Sequence, residues 1–403
     1  MKSIIKGLMV LSFLAYVIQS QNTCSGQANN LPDTLILKTK QVKGPGLMYY
    51  LSAIHDLHFK IKDSLKYDVI LPDNINDVKL TYTTVDFDHQ KGLSLKDNSV
   101  CFLKGIKGKD TILIVDENNN KDFRDDPIRP IEKIDFFSKE SLIKCDYKIF
   151  NGKKYVTNSN WIAIGTWSED GLWYLANQHY TASFKLKKST YDIELFISDT
   201  RFWFTKPQIA LIGGNGIKRD TVVEGEILNI GEYLKLKEGI FKFADLANDG
   251  SYITLVREDH YQDMTGTQIG VIAPDFKCHT TDGDSISSED YKGSNVLLVN
   301  ISSCYSVPAS QVVYKDLAEK YGSKLDMVVI DRGEGLLKQL EKWNLAGKFV
   351  NAHTSDNASF AKNYRPDICS RTCFLIGADG RVIDKFEIFD WEKTLPKHFI
   401  QKN

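Results

Sequence analysis

The pattern of hydrophobic and polar positions changes near residue 265. Before it, short alternating or β-branched runs are interrupted by Gly, Asn and Asp, which predicts β structure. The dipeptide Asn151-Gly152 between two such runs indicates a hairpin. Because Asp/Asn-rich loops and hairpins recur, residues 31–265 are interpreted as a β-rich N-terminal region made of two related units. The clearest predicted strands are 78–85, 111–115, 191–197, 208–212 and 252–256.

Residues 268–403 instead alternate short apolar runs with segments of helical spacing. One such segment follows Pro308, which stands where the first turn of a helix tolerates proline. This order predicts an α/β domain with a mixed central sheet and helices on both faces. The predicted strands are 296–299, 327–330 and 373–376, with a hairpin at 378–383, and the predicted helices are 311–321, 334–345, 356–364 and 391–400.

The N-terminus has the order of an export signal. Lys2 and Lys6 form a basic start, residues 8–18 a short apolar segment, and Ser20-Gln21 a polar exit. The apolar segment is shorter than the roughly 20 residues of a transmembrane helix. Residues 1–20 are therefore predicted to be a cleaved signal peptide. The mature protein is expected to be exported to the periplasm or cell envelope, with no transmembrane segment after signal removal.

Composition excludes several classes of function. The 403 residues carry 51 Lys and Arg against 52 Asp and Glu, so no net field favours nucleic acid. The seven cysteines are too few for a disulfide scaffold and show neither the repeats nor the His clusters of a zinc site. An odd number leaves at least one of them unpaired within the chain.

Several motifs of residues 268–403 carry a family resemblance. They are Ala273-Pro274-Asp275-Phe276 near the start, Thr281-Asp282-Gly283 shortly after, and Thr372-Cys373-Phe374-Leu375-Ile376 followed by Asp379-Gly380 near the end. In this order they resemble the exported TlpA-like thioredoxin family, which is related to the peroxiredoxins. The resemblance implies a thioredoxin-like fold for about a third of the chain and protein thiols or disulfides as partners. The β-rich region resembles the extension that precedes such domains in some envelope proteins.

The resemblance also implies a site, and the sequence departs from the family there. The family carries Cys-x-x-Cys between the first core strand and its helix, where this chain has Cys304 and then Val307. A cis-proline precedes the Thr-x-Phe-Leu-Ile strand in the family, and here Arg371 takes its place. In the peroxiredoxin alignment, Pro308 falls at the peroxidatic cysteine. One family hallmark is missing in either alignment, so the Cys-x-x-Cys site is interpreted as degenerate.

Some thiol chemistry remains available to such a site. Cys304 is the candidate attacking thiol, because amide groups at a helix start stabilise a thiolate. The family alignment brings Arg371 over it from the facing loop as an electrostatic activator. The same loop carries Cys369, which we hypothesise resolves a mixed disulfide by pairing with Cys304. Cys373 and Cys278 are interpreted as buried strand thiols.

A second candidate site is the loop 116–126, which places oxygen side chains at alternate positions, as calcium loops do. It departs from the EF-hand pattern because Lys121 stands where Gly is expected and no Glu closes the loop. A solvated turn is the alternative interpretation, and no other cofactor is predicted. The candidate calcium ligands are Asp116, Asn118, Asn120 and Asp122.

Two functions stay open at this point. One is an exported thiol/disulfide oxidoreductase with a single active-site cysteine. The other is a catalytically inactive thioredoxin-fold module that binds an envelope protein, with the β-rich region contributing contacts. Val307 and Arg371 favour the second function, and the family resemblance favours the first. A peroxidase ranks third because no Thr-x-x-Cys motif is present.

Overall fold

A computed structural model describes most of the chain. None of the described helices has the length and hydropathy of a membrane-spanning helix. The predicted signal peptide lies outside the described residues and stays a prediction. The described residues are 31–48, 54–61, 67–85, 93–135, 138–167, 171–197, 202, 207–301, 307–331, 333–365 and 370–399.

The described part of the β-rich region forms four antiparallel sheets, and all five strands expected most clearly from the sequence are present. Its last strand pairs with its first, Val256 opposite Thr34, so the region closes on itself. The first sheet has the strand order β1 (Thr34–Lys38), β19 (Tyr252–Glu258), β18 (Gly239–Leu246) and β17 (Tyr233–Leu236), and the second has the order β3 (His55–Asp56), β11 (Leu172–Ala176), β10 (Tyr155–Thr166) and β9 (Ile143–Phe150). The third has the order β15 (Ile217–Lys218), β14 (Pro207–Gly214), β13 (Ser189–Ile197), β12 (Gln178–Leu186) and β2 (Lys40–Lys43), and β16 (Leu228–Asn229) also pairs with β14. The fourth has the order β4 (Lys60–Ile61), β5 (Asn76–Thr84), β6 (Ser99–Lys107), β7 (Asp110–Val115) and β8 (Arg129–Pro130).

One hydrophobic core joins these four sheets. Alternate residues of β9 and β12 turn inward, as the pleat of a strand requires, and Tyr147 of β9 is one of them. Its ring meets Phe202 edge-on, with 5.2 Å between the ring centroids. Phe102 of β6, Phe184 of β12 and Phe241 of β18 fill the same core. Since every sheet contributes to it, the core forms only when strands far apart in sequence come together.

The C-terminal region contains a five-stranded sheet in the order β24 (Lys348–Asn351), β23 (Asp326–Asp331), β22 (Val296–Asn300), β25 (Thr372–Ile376) and β26 (Val382–Glu387). β22 runs parallel to β23 and antiparallel to β25, and β23 runs parallel to β24. This mixed sheet is the core of a thioredoxin-like fold, as the sequence predicts. The elements are the hairpin β20 (Lys277–His279) and β21 (Ser285–Ser287), then β22 (Val296–Asn300), α1 (Val307–Tyr321), β23 (Asp326–Asp331), α2 (Glu334–Lys342), β24 (Lys348–Asn351), α3 (Ala358–Tyr364), β25 (Thr372–Ile376), β26 (Val382–Glu387), α4 (Trp391–Thr394) and α5 (Pro396–Phe399).

Helices cover both faces of this sheet. Leu297 of β22 packs with Leu317 of α1 on one face, and Leu298 packs with Phe360 of α3 on the other. All five residues of β22 are buried, which explains why its sequence is apolar without alternation. The predicted final helix is interrupted at Leu395 because the next residue, Pro396, has no amide hydrogen for the helical ladder.

A buried arginine closes one end of the sheet. Arg365, which follows α3, donates from Nη1 to the carbonyl oxygens of Ile301 and Ile330, both at 3.0 Å. Its Nη2 lies 3.2 Å from Oδ2 of Asp331, and both side chains are fully buried. The amide of Asn300 adds bonds to the carbonyls on either side, those of Tyr364 and Thr372. These contacts tie β22, β23, α3 and β25 together at one point.

The β-rich region docks firmly on the thioredoxin-like domain. The side-chain amide of Gln268 bonds both backbone groups of Tyr233. Lys385 of β26 lies 3.7 Å from Glu232, and both side chains are largely buried. A 3-10 turn, Glu224–Glu226, lies against β26, and a Cβ at Gly225 would come within 2.8 Å of the Lys385 carbonyl oxygen. The contact therefore requires glycine at this position.

Breaking the buried pair at the sheet end should cost stability. We expect Arg365→Met to lower the free energy of unfolding by about 3 to 5 kcal/mol, because it leaves the Asp331 carboxylate buried without its cation. Urea unfolding monitored by circular dichroism measures this. The exposed Arg124→Met is the matched control and should leave the free energy of unfolding nearly unchanged, because solvent screens its ion pair. An Arg365→Met protein as stable as the parent would contradict the role given to the pair.

Candidate functional site

The candidate thiol site lies at the end of the sheet that Arg365 closes. β22 ends at Asn300 and α1 begins at Val307, so Cys304 belongs to the connection between a buried strand and a helix. Residues 302–306 lie outside the described residues, so the position of the thiol stays a prediction.

Arg371 is at the same end of the sheet. Val299 is paired with Cys373, so the residues just before β25 face the end of β22. The Asn300 amide confirms this by bonding the Thr372 carbonyl oxygen at 2.7 Å. The alignment that predicted Arg371 beside the β22–α1 connection is consistent with this pairing.

The described partner of Arg371 is a carboxylate. Its Nη2 lies 2.6 Å from Oε1 of Glu387 at the end of β26, and its guanidinium lies 5.2 Å from the ring centroid of Phe389. The side chain is 34% exposed, so solvent reaches the pair. A guanidinium already paired in this way stabilises a further anion less than a free one does. Its action on Cys304 stays a prediction.

A second carboxylate approaches from the β-rich region. Thr372 donates its hydroxyl hydrogen to Oε1 of Glu224 at 2.8 Å. Burial holds the pKa of Glu387 above its ordinary value; Arg371 opposes that shift, and the nearby charges of Glu224 and Asp390 add to it. Two glutamates and one arginine therefore determine the charge beside the start of β25.

The described cysteines are buried free thiols. Cys278 and Cys373 lie inside the sheet core, as the sequence predicts, and burial raises the pKa of Cys278 to about 12. Burial also raises the pKa of the Cys373 thiol, with smaller contributions from Glu387 and Glu224. Thiols of this kind stay protonated and inert at neutral pH. Cys369 lies outside the described residues, so its disulfide with Cys304 remains a hypothesis.

The predicted calcium loop contains an internal cation. Nζ of Lys121 lies 3.3 Å from Oδ2 of Asp116 and donates to the Ser99 carbonyl oxygen at 2.8 Å. Lys121 is 3% exposed and Asp116 is fully buried. Lys121 has a φ of 68°, the left-handed conformation for which an EF-hand uses glycine. The turn is thus calcium-like in its backbone, while a lysine neutralises its first carboxylate.

The other candidate ligands also have protein partners. Asn118 and Asn120 donate to Oδ2 of Asp125 at 3.0 and 2.9 Å. Asp122 forms an ion pair with Arg124. Among the residues that the structure describes, no group of three or more His, Cys, Asp or Glu side chains is arranged to hold a metal ion. Calcium binding by this loop would require Lys121 to leave Asp116, and it stays a hypothesis.

Asp126 is a buried carboxyl group next to this loop. Its Oδ1 accepts a hydrogen bond from the Glu117 amide at 3.0 Å, whereas its Oδ2 is buried with no hydrogen-bond partner among the described residues. Burial raises the pKa of Asp126 to about 7, and the charges of Asp116, Asp125 and Glu117 contribute. A large fraction of the molecules therefore carries a proton on this group at neutral pH.

Sequence reasoning missed four residues that shape the thiol site. Asp331 follows an apolar strand and Arg365 follows an amphipathic helix, so a buried pair at the sheet end was a readable signal. Glu387 is the last residue of β26, a strand of mixed polarity, and its sequence context gave only a weak signal. Glu224 gave none, because it lies 148 residues from Thr372 in sequence.

No family model matches the sequence, and no curated protein matches it either. A candidate protein disulfide isomerase from Bacteroides thetaiotaomicron is similar in structure at 22% identity and a TM-score of 0.28, with 32% of this chain and 86% of that chain covered. The thioredoxin domain of a thiol-disulfide oxidoreductase from Bacteroides vulgatus is similar at 18% identity and a TM-score of 0.27, with 32% of this chain and 96% of that chain covered. A thiol:disulfide interchange protein from a Bacteroides species is similar at 18% identity and a TM-score of 0.28, with 35% of this chain and 93% of that chain covered. These TM-scores are too low to assign an activity, and the thioredoxin-like fold is assigned from the strand order of the C-terminal sheet.

Removing the internal cation should destabilise the loop. We expect Lys121→Met to lower the free energy of unfolding by about 3 kcal/mol, because Asp116 is left as an uncompensated buried charge. Urea unfolding tests this, with the exposed Lys109→Met as matched control.

The calcium hypothesis predicts a higher melting temperature in calcium chloride than in EDTA. Equal melting temperatures of the parent protein in the two buffers would remove that hypothesis.

Asp126 should make stability depend on pH. Because its pKa is raised on folding from 3.8 to about 7, its contribution is fully present below about pH 4 and is lost as the pH rises through 7. We expect Asp126→Asn to be more stable than the parent at pH 8 by on the order of 2 kcal/mol, and to lose that advantage at pH 5. Unfolding free energies at several pH values measure this, with the exposed Asp110→Asn as control. Parallel curves for parent and Asp126→Asn would contradict the assignment.

Proposed function

We propose that the chain is an exported thioredoxin-fold protein that exchanges disulfides with protein partners through one thiol, that of Cys304. The observation that supports this is the position of the β22–α1 connection. It leaves a fully buried core strand at Asn300 and enters a helix at Val307, on the end of the sheet that Arg371 borders. Amide groups at such a helix start favour a thiolate.

The proposed reaction needs no cofactor. The Cys304 thiolate attacks one sulfur of a partner disulfide, the partner S–S bond breaks, and the second partner sulfur leaves as a thiolate. A mixed disulfide between Cys304 and the partner results. The Cys369 thiolate then attacks the Cys304 sulfur, which releases the partner as a dithiol and leaves a Cys304–Cys369 disulfide. A thiol reductant of the compartment returns this disulfide to two thiols.

A second function is favoured by the surroundings of Arg371. Its guanidinium is paired with Glu387, and Glu224 lies close by, so this end of the sheet offers little positive charge to a thiolate. In that case the chain is a catalytically inactive thioredoxin-fold module of the cell envelope. The thiol would then be idle, and the docked β-rich region and thioredoxin-like domain would bind a partner together.

Trapping of the mixed disulfide separates the two functions. With a peptide that carries one internal disulfide, we expect Cys369→Ser to accumulate an adduct on Cys304 at about tenfold the level of the parent protein, because resolution is blocked. Cys304→Ser should form none. Intact mass under non-reducing conditions measures the adduct. Cys278→Ala is the matched control, since that thiol is buried and protonated.

The opposite result has a clear meaning. If no variant forms an adduct while Cys304→Ser retains envelope proteins as well as the parent does, the chain is a binding module. If Cys369→Ser and the parent accumulate equal amounts of adduct, Cys304 exchanges disulfides without Cys369 as its resolving thiol.

A further inference from the structure

The first strand of the β-rich region lies at the end of its sheet. Among the described strands, β1 pairs with β19 alone. The amide of Arg257 donates to the Asp33 carbonyl oxygen at 2.8 Å. At the other end of the strand, the amide of Thr39 donates to the Ser251 carbonyl oxygen at 3.0 Å. Antiparallel strands bond through every second residue, so the odd-numbered residues 33 to 39 carry the bonds to β19.

The even-numbered residues of β1 turn their backbone groups away from β19. The amides and carbonyl oxygens of Thr34, Ile36 and Lys38 are therefore directed at the free edge of the sheet. Within the described ranges, these groups bond to no residue outside β19. β12 contacts β1, but its pairing ends at Lys40 of β2 and does not continue along β1. This edge is thus open to the addition of another strand.

The outer face beside this edge is apolar. Ile36 is 70% exposed and lies opposite Thr254 of β19. Tyr252 and Val256, on either side of Thr254 on the same face, are 40% and 36% exposed. The single charged residue of β1 is Lys38. Native proteins usually cover or charge an open edge because it can pair with another chain, and this edge has little of either protection.

We propose that the free edge of β1 pairs with the same edge of a second copy of this chain, antiparallel and across a two-fold axis at Ile36. In this register, even-numbered residues meet even-numbered residues, so each free amide faces a free carbonyl oxygen. Ile36 lies opposite Ile36 of the second copy. Lys38 lies opposite Thr34, so no like charges face each other. The two sheets then form one continuous sheet with a shared apolar patch.

The sequence of β1 fits its own copy in this register better than in others. A shift by one residue would set free groups against residues whose amides already bond to β19. An axis at Lys38 would place two lysines opposite each other. The axis at Ile36 also keeps Pro32, which has no amide hydrogen, outside the paired residues. Because β1 has five residues, the contact is small, and we expect a dimer in equilibrium with the monomer.

Sedimentation velocity of the full chain over a range of concentrations measures this association. We expect the parent protein to change from monomer to dimer as the concentration rises. Ile36→Lys sets two lysines opposite each other, and Ile36→Pro removes an amide hydrogen that β19 does not use. Each variant should weaken the association at least about tenfold. Ile217→Lys, at a position that is 72% exposed and outside this edge, is the matched control and should associate like the parent.

Disulfide cross-linking reports the register. Ile36→Cys should link two copies on mild oxidation, because facing residues of a hydrogen-bonded antiparallel pair lie about 5.5 Å apart between their Cα atoms. Thr34→Cys should not, since Thr34 faces Lys38 of the second copy. Peptide mapping distinguishes a disulfide between the introduced thiols from disulfides of the native cysteines.

The outcomes do not depend on any thiol activity of the chain. A parent protein that stays monomeric at all concentrations would overturn the proposal and leave the edge to a strand of another protein. Dimers of Ile36→Lys and Ile36→Pro as tight as the parent dimer would place the contact on another surface. Assemblies larger than two copies would contradict the two-fold pairing, which closes after the second copy. Should Ile36→Pro melt at a lower temperature than the parent, Ile36→Lys and the cross-link decide.

Discussion

The buried guanidinium of Arg365 is the contact on which the functional end of the molecule depends. Parallel strands that end side by side leave carbonyl oxygens that need donors, and Arg365 supplies them to β22 and β23 while Asp331 balances its charge. A charge buried at this depth is tolerated only with such partners. Asn300 then links this centre to the strand that follows Arg371. This network therefore fixes the start of β25, directly after Arg371, against the end of β22.

The periodicity of the sequence was sufficient to predict an α/β domain with a mixed sheet, whereas the thioredoxin-like fold was implied by the family resemblance. An apolar run, a helix with Pro308 in its first turn and a hairpin after residues 373–376 all correspond to described elements. Local pattern also predicted the hairpin around Asn151-Gly152, although its loop has four residues, 151–154, between Phe150 and Tyr155. The predicted bounds of the last helix were wrong because Pro396 interrupts the helical hydrogen bonds between α4 and α5.

The site was less predictable because its contacts join distant segments. The pairing of Arg371 with Glu387 depends on how the final hairpin returns beside β25, and the approach of Glu224 depends on how two regions dock. Neither leaves a periodic signal. The loop at Lys121 is a different case, since its spacing did indicate a tight oxygen-rich turn. Spacing alone could not show that the lysine amine would fold inward onto Asp116.

Gly225 gives this arrangement a consequence for sequence change. It lies between Glu224 and Glu226, whose carboxylate accepts hydrogen bonds from Arg219 and the Val223 amide. Because Gly225 has no side chain, the turn can contact the Lys385 carbonyl oxygen. Any larger residue there would lift the turn from β26 and carry the Glu224 carboxylate away from Thr372. The separation between the turn and β26 is thus set by the volume of a single side chain, at a position that bears no charge. A substitution there would change how the two regions contact each other while leaving every residue around it unchanged.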